Sequence, residues 1–207
     1  IMFEDGLLKG RGGDLLMTIA QAAALCKTRG VILTGEYSFN PNTTSLDEQG
    51  QGNPYATYAF ATQVALVEVN TLTGQVQVLE LIAVHDVGQV INPMQTEGQI
   101  EGGAVMGIGY GLFEELKVSN GAILTDSFHT YLLPTSLDTP KIHPIIVEEP
   151  VSSGPFGAKG VGEPAMIPTA AAVANAIYDA VGIRIRQLPI TPELILSELA
   201  KKEGELI

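Results

Sequence analysis

Between Gly154 and Ile177 the chain reads GPFGAKGVGEPAMIPTAAAVANAI, a glycine-rich stretch with one lysine, Lys159, and one carboxylate, Glu163, that runs into an alanine-rich helical pattern. A carboxylate on a short rigid segment, beside backbone that Gly160 and Gly162 leave free of side chains, can act as a general base toward a closely bound ligand. Pro164 and Pro168 could each occupy a first helical turn, which sets Glu163 at or within a turn of a helix N-terminus, where the macrodipole favours negative charge. A capping carboxylate on a tight turn would have the same composition, and the residues alone do not separate the two readings.

Other chemistries fail on spacing. A P-loop needs Gly-Lys followed by Ser or Thr, whereas Lys159 stands between Ala158 and Gly160. GAKGVG has the wrong spacing for a dinucleotide loop, and GIGYG at Gly107 lies inside a helical pattern. His85, His129 and His143 have no partner at H-x-x-x-H spacing, and Ser152 and Ser153 lie in a turn without a nucleophile elbow. Cys26 is the only cysteine, so it can neither close an internal disulfide nor hold an iron–sulfur cluster by itself. Its apolar helical surroundings predict a buried structural thiol.

The 207 residues are 45% hydrophobic, enough for a core, and 11 basic against 23 acidic side chains give a net charge of −12. That charge repels phosphate backbones and anionic membranes. Gly102–Phe113 is too short to span a bilayer and no signal peptide is visible, so a cytoplasmic protein is expected. The chain starts at Ile1 with a strong pattern running by Leu7, which suggests a fragment whose natural beginning is missing.

The elements that must position Glu163 are legible in outline. Leu16, Ile19, Ala20, Ala23 and Ala24 recur at helical spacing between Asp14, a candidate N-cap, and Gly30, predicting a helix of about four turns. VILTGEYSF, from Val31, is compatible with a strand, and Asn40–Pro54 is a polar loop and a possible boundary. The runs Tyr58–Val69 and Gln75–Val87, joined by NTLTG, predict an antiparallel hairpin, apolar enough on both faces to be covered on both. Ile100, Ala104, Ile108, Leu112 and Leu116 predict a helix, and Gly103, Gly107 and Gly111 form one stripe on it. Tight packing is favoured over a cofactor as the reason for that stripe. GAILT, IHPIIVEE and IRIRQLP are further strand candidates, and Thr191-Pro192 opens a final helix. Strands and helices mix without regular alternation, so the fold class is α+β with a mixed or antiparallel sheet and packed helices.

Three stretches, DVGQVINP (Asp86 to Pro93), EGQIEGGAVMGIGYGLFEEL (Glu97 to Leu116) and GAKGVGEPAMIPTAAAVANAI (Gly157 to Ile177), together resemble the C-terminal part of the molybdopterin-binding catalytic subunit of the xanthine dehydrogenase and aldehyde oxidase family, the molybdenum hydroxylases. The likeness runs from about Tyr55 to near Ala180, and more loosely upstream through FEDGLLKG, Phe3 to Gly10. It implies that residues 1–207 are the C-terminal portion of the molybdopterin-binding domain and that Glu163 is the catalytic base. Gln99 would contact the pterin by its side chain, with Lys159, Gly160, Val161 and Gly162 as the backbone lining the cofactor. The implied reaction inserts water-derived oxygen at an electron-poor carbon of xanthine, hypoxanthine or a related N-heterocycle. The cofactor would be molybdopterin or its cytosine dinucleotide form, with iron–sulfur clusters and FAD on partner chains or domains. An aldehyde oxidase or carbon monoxide dehydrogenase type subunit is the alternative, as is a non-catalytic assembly domain of the same fold. The 207-residue chain by itself is expected to hold no molybdenum and to be inactive, because the family also grips its cofactor through earlier parts of the subunit.

Overall fold

The computed structural model describes residues 1–204, in two compact units, Ile1–Asn40 and the chain from Pro41 onward. In the first unit β1 (Met2–Glu4), β2 (Leu7–Lys9) and β3 (Leu15–Thr18) form an antiparallel meander that leads into α1 (Ile19–Thr28). The helix therefore starts after Leu15–Thr18, not after Asp14. Leu15–Thr18 pairs with β2, and Thr18 supplies the stronger cap: its hydroxyl accepts the Gln21 N–H at 3.1 Å while the Gln21 side chain accepts the Thr18 N–H at 3.0 Å. This capping box satisfies two orphan donors at once. Cys26 is only half-buried, because α1 has no buried residue in this unit. Val31–Phe39 forms no strand: among the described residues no neighbouring segment pairs with its backbone.

The second unit follows the predicted hairpin closely. β4 (Ala61–Val69) and β5 (Val76–Asp86) pair antiparallel, and Asn70 closes the turn by accepting the N–H groups of Leu72 and Thr73 at 3.0 and 3.1 Å. After β5 come α2 (Pro93–Leu112), the short hairpin β6 (Val118–Ser119) and β7 (Ala122–Ile123), then β8 (Lys141–Val147), which adds parallel to β5. α3 (Thr169–Val181) and α4 (Pro192–Gly204) complete the unit. Among the described residues no helix is long and apolar enough to cross a membrane. The mixed sheet β4–β5–β8 with packed helices is the α+β architecture that the sequence predicts.

One sheet face is covered. Leu81, Ala83 and His85 of β5 are buried with Ile100, Ala104 and Ile108 of α2 and Val173 and Ile177 of α3. The other face, with Val64 and Leu66 of β4, Ile82 of β5 and Ile145 of β8, is exposed, contrary to the expectation of two covered faces. The strands have the two-sided hydrophobicity of a central layer, but this unit packs its helices on one side of it. IRIRQLP forms no strand either. Ile183, Ile185 and Ile190 enter the core from an extended segment, which is fastened by the Ile190 N–H to the Gly111 carbonyl at 2.7 Å. Thr191 accepts the Leu194 N–H at 3.3 Å and starts α4 as expected.

The glycine stripe of α2 is explained by packing. A Cβ at Gly103 would lie 2.6 Å from the Ala165 methyl, and one at Gly107 would lie 2.6 Å from the Thr169 hydroxyl and 2.8 Å from the Met166 carbonyl oxygen. Without those side chains the segment 165–170 lies directly on the helix. Gly107→Ala should therefore destabilise the chain by about 1–3 kcal/mol through overpacking, despite the gain in helix propensity. Urea unfolding compared with Gly98→Ala, which opens into free space, checks this.

Candidate functional site

The glycine loop is strapped to the end of β5. The Lys159 N–H donates to the Val87 carbonyl at 2.9 Å, and the Gly157 carbonyl accepts from Gln89 at 2.9 Å and from Val151 at 3.1 Å. Gly88 makes the crossing possible: its φ is 65°, and a Cβ there would sit 2.8 Å from the Lys159 nitrogen and nearer still to the Gly157 oxygen. The Lys159 side chain turns inward, 5% exposed, and pairs with Asp86, 10% exposed, while its ammonium lies 5.9 Å from the centre of the Phe60 ring. Burial pushes the Asp86 carboxyl up. The hydrogen bond from Lys159, the Gly88 N–H at 3.0 Å and the lysine charge outweigh that effect and hold it below the usual carboxylate value. Thus the N–H and ammonium of Lys159 fasten the loop. Asp86 is visible in the sequence as the first residue of DVGQVINP, but a partner 73 residues away follows from no spacing rule.

Beyond Lys159 the backbone is free. Among the described residues the N–H groups of Gly160, Val161, Gly162 and Glu163 have no hydrogen-bond acceptor. Among the described residues no atom lies within 4 Å of a Cβ added at Gly160, and at Gly162 the one such neighbour would be Gln99 Oε1, at 3.8 Å. Glu163 is exposed, its side chain makes no hydrogen bond among the described residues, and its carbonyl accepts the Met166 N–H at 3.1 Å in a turn. The helix begins later than the sequence suggests. Pro168 occupies the N-cap and α3 starts at Thr169, so the macrodipole, which fades within a turn, does not reach Glu163.

Gln99 stands four residues before Gly103, so it tops the same stripe of α2 that Gly103, Gly107 and Gly111 continue. The segment from Gly162 to Ala170 runs along that stripe, and the Gln99 amide oxygen approaches Gly162, one position before Glu163, at its upper end. A cleft of about 300 Å³ adjoins the turn, lined by Phe60, Ala61, Pro164, Ile167 and Pro168. A larger cavity, of about 630 Å³ near Val76, Phe113 and Pro192, includes neither Gln99 nor Glu163.

Beneath the turn lies a buried polar cluster that sequence reasoning missed. The Gln63 side chain on β4 donates through Nε2 to the Ala165 carbonyl at 2.8 Å and faces His85 Nε2 at 3.1 Å, and its Oε1 accepts from the Thr169 hydroxyl at 2.6 Å. His85 is 2% exposed, and burial pushes its imidazole down, which keeps it neutral and able to accept from Gln63. The only sequence signal was a glutamine at an inward-facing strand position.

The free N–H groups, the side-chain-free strip and the Gln99 amide suit a large polar planar group, with one carboxylate beside it. Among the described residues no three His, Cys, Asp or Glu side chains gather to hold a bare metal ion.

Residues 1–140 match the molybdopterin cofactor-binding domain family. The aldehyde oxidoreductase molybdenum-binding subunit PaoC of Escherichia coli strain K12 is 37% identical over 201 residues, 95% of this chain and 25% of the relative. A probable xanthine dehydrogenase subunit from Bacillus subtilis strain 168 is 37% identical over 145 residues, 70% of this chain and 20% of the relative. The crystal structure of the aldehyde oxidoreductase from Desulfovibrio desulfuricans ATCC 27774 superposes with a TM-score of 0.76 at 31% identity, covering 94% of this chain and 20% of that one. The chain thus spans about a fifth to a quarter of the length of these relatives. With matching sequence along most of its length and the same fold, the chain belongs to the molybdopterin cofactor-binding domain family of the molybdenum hydroxylases.

Proposed function

We propose that this chain is the C-terminal portion of the molybdopterin-binding domain of a cytoplasmic molybdenum hydroxylase, an oxidoreductase, and carries its general base, Glu163. The observation that carries this reading is the approach of the Gln99 amide to Gly162, next to Glu163, beside four backbone N–H groups without an acceptor among the described residues. Gln99 and the backbone of Gly160, Val161 and Gly162 would hold the molybdenum–pterin group, in its molybdopterin or cytosine dinucleotide form. Lys159 belongs to the same lining segment and anchors it through Asp86. The bound group supplies the two-electron oxidation and the water-derived oxygen. Glu163 would serve as the proton acceptor, at a carboxylate Oε.

The substrate class follows the relatives. Xanthine, hypoxanthine or a related N-heterocycle is the leading reading, supported by the name of the Bacillus subtilis relative. An aldehyde is the second, favoured by the longer match to PaoC. The exposed apolar sheet face of Val64, Leu66, Ile82 and Ile145 supports packing against the remainder of the molybdopterin subunit, with iron–sulfur and FAD modules on partner chains or domains.

Gln99→Leu in the complete enzyme tests the cofactor contact. Loss of one amide hydrogen bond, worth about 1 kcal/mol, should leave about fivefold less pterin and molybdenum bound after dialysis, with the fold intact by circular dichroism. Unchanged cofactor content would remove Gln99 from the binding surface. A panel of purines and aldehydes given to the parent enzyme decides the substrate class.

A further inference from the structure

The Gln63 cluster reaches the site through the backbone. Gln63 offers two amide hydrogens and one carbonyl oxygen, and all three are engaged: one hydrogen to the Ala165 carbonyl, one toward His85 Nε2, and the oxygen to the Thr169 hydroxyl. Ala165 is fully buried and held from two sides, its carbonyl by Gln63 and its methyl by the space that Gly103 leaves on α2. It stands two positions after Glu163, inside the turn closed by the Met166 N–H to the Glu163 carbonyl. Displacement of Ala165 therefore carries Glu163 with it.

We infer that Gln63 is a positioning residue for Glu163: with His85 and Thr169 it clamps the Ala165 carbonyl and so fixes the reach of the carboxylate above the Gln99–Gly162 strip. This rests on Glu163 being the general base. The chemistry selects glutamine. A glutamate would set a carboxylate oxygen against the Ala165 carbonyl, and a methionine of similar length would leave the Ala165 oxygen, the Thr169 hydroxyl and His85 without their partner. Base catalysis is sensitive to displacements of about an ångström, so a loosened turn lowers the rate while residues that bind substrate or cofactor stay in place.

The experiment uses the complete enzyme with Gln63→Met, alone and combined with Glu163→Gln. We expect kcat to fall about tenfold or more with KM within about twofold and molybdenum content unchanged. Peptides covering Met166 should exchange amide hydrogen faster, a readout that needs no turnover. In the Glu163→Gln background the same substitution should leave kcat nearly unchanged, because the group being positioned is gone. Parental kcat and exchange in Gln63→Met, or an equal loss of kcat in both backgrounds, overturns the inference. If Gln63→Met does not assemble, Thr169→Val keeps the Gln63 bond to the Ala165 carbonyl and removes the Thr169 hydroxyl from Gln63 Oε1 and from its longer, 3.5 Å contact with the same carbonyl. It should lower kcat in the same direction but less, and an unchanged kcat overturns the inference. Should Glu163→Gln by itself retain turnover, the base assignment fails, and the exchange result still decides whether Gln63 clamps the turn.

Discussion

Glu163→Gln in the complete enzyme is expected to lower kcat by about 10²–10⁴-fold, the usual contribution of a general base. The substitution preserves shape and removes only the capacity to take up a proton. Glu163 is exposed and its side chain has no hydrogen-bond partner among the described residues, so neither folding nor the strapped loop depends on its charge. Surface substitutions of this kind change stability by about 0.5 kcal/mol or less. Molybdenum and pterin content should match the parent, and single-turnover reduction by substrate should slow by the same factor as kcat. If turnover falls less than about tenfold with cofactor retained, Glu163 is not the base.

Lys159→Met is expected to have the largest effect on stability. It leaves Asp86 buried without its partner, and breaking a buried ion pair from one side costs about 3–5 kcal/mol. The Gly88 N–H remains as a hydrogen-bond donor to Asp86, so the lower end of that range is expected. The effect has a pH signature. In the parent the Asp86 carboxyl is held below its usual value of 3.8, so the pair stabilises the fold fully above that value, and the stabilisation is lost as pH falls through the lower native value. In the variant, burial unopposed by a lysine raises the Asp86 carboxyl instead, and protonation relieves the unpaired charge. The stability difference between parent and variant should therefore be greatest at neutral pH and shrink well below 3.8. Urea unfolding at both pH values measures it, and an equal penalty at each would show that the ion pair is not its source. The double change Asp86→Asn with Lys159→Met should recover part of the loss, because no buried charge is then left unpaired.

The two substitutions probe different links between this fold and its site. Glu163 is a chemical group on a segment that does not need it, whereas Lys159 holds that segment to β5. Gln63 acts between them, through the Ala165 carbonyl.

The sequence by itself determined the features encoded by neighbours a few residues apart. Asn70 closes the β4–β5 hairpin, Thr191 and Pro192 start α4, and a spacing of four places Gly103, Gly107 and Gly111 on one face of α2. Those follow from the two-residue period of a strand and the 3.6-residue period of a helix. Glu163 and Gln99 were legible only as members of longer motifs. The approach of Gln99 to Gly162 was decided by the tertiary structure, as were the inward turn of Lys159 to Asp86 and the reach of Gln63 to Ala165. Each of these joins residues far apart in the chain, set by sheet register and by how closely a glycine stripe lets a loop approach. The exposed face of β4 and β5 has the same origin: the strands carry the pattern of a two-sided layer, and only the arrangement of helices in space shows which side this chain covers. Local periodicity specifies which face of an element is apolar or bare. It does not specify what lies opposite that face, because the opposing group is chosen by the packing of the whole chain.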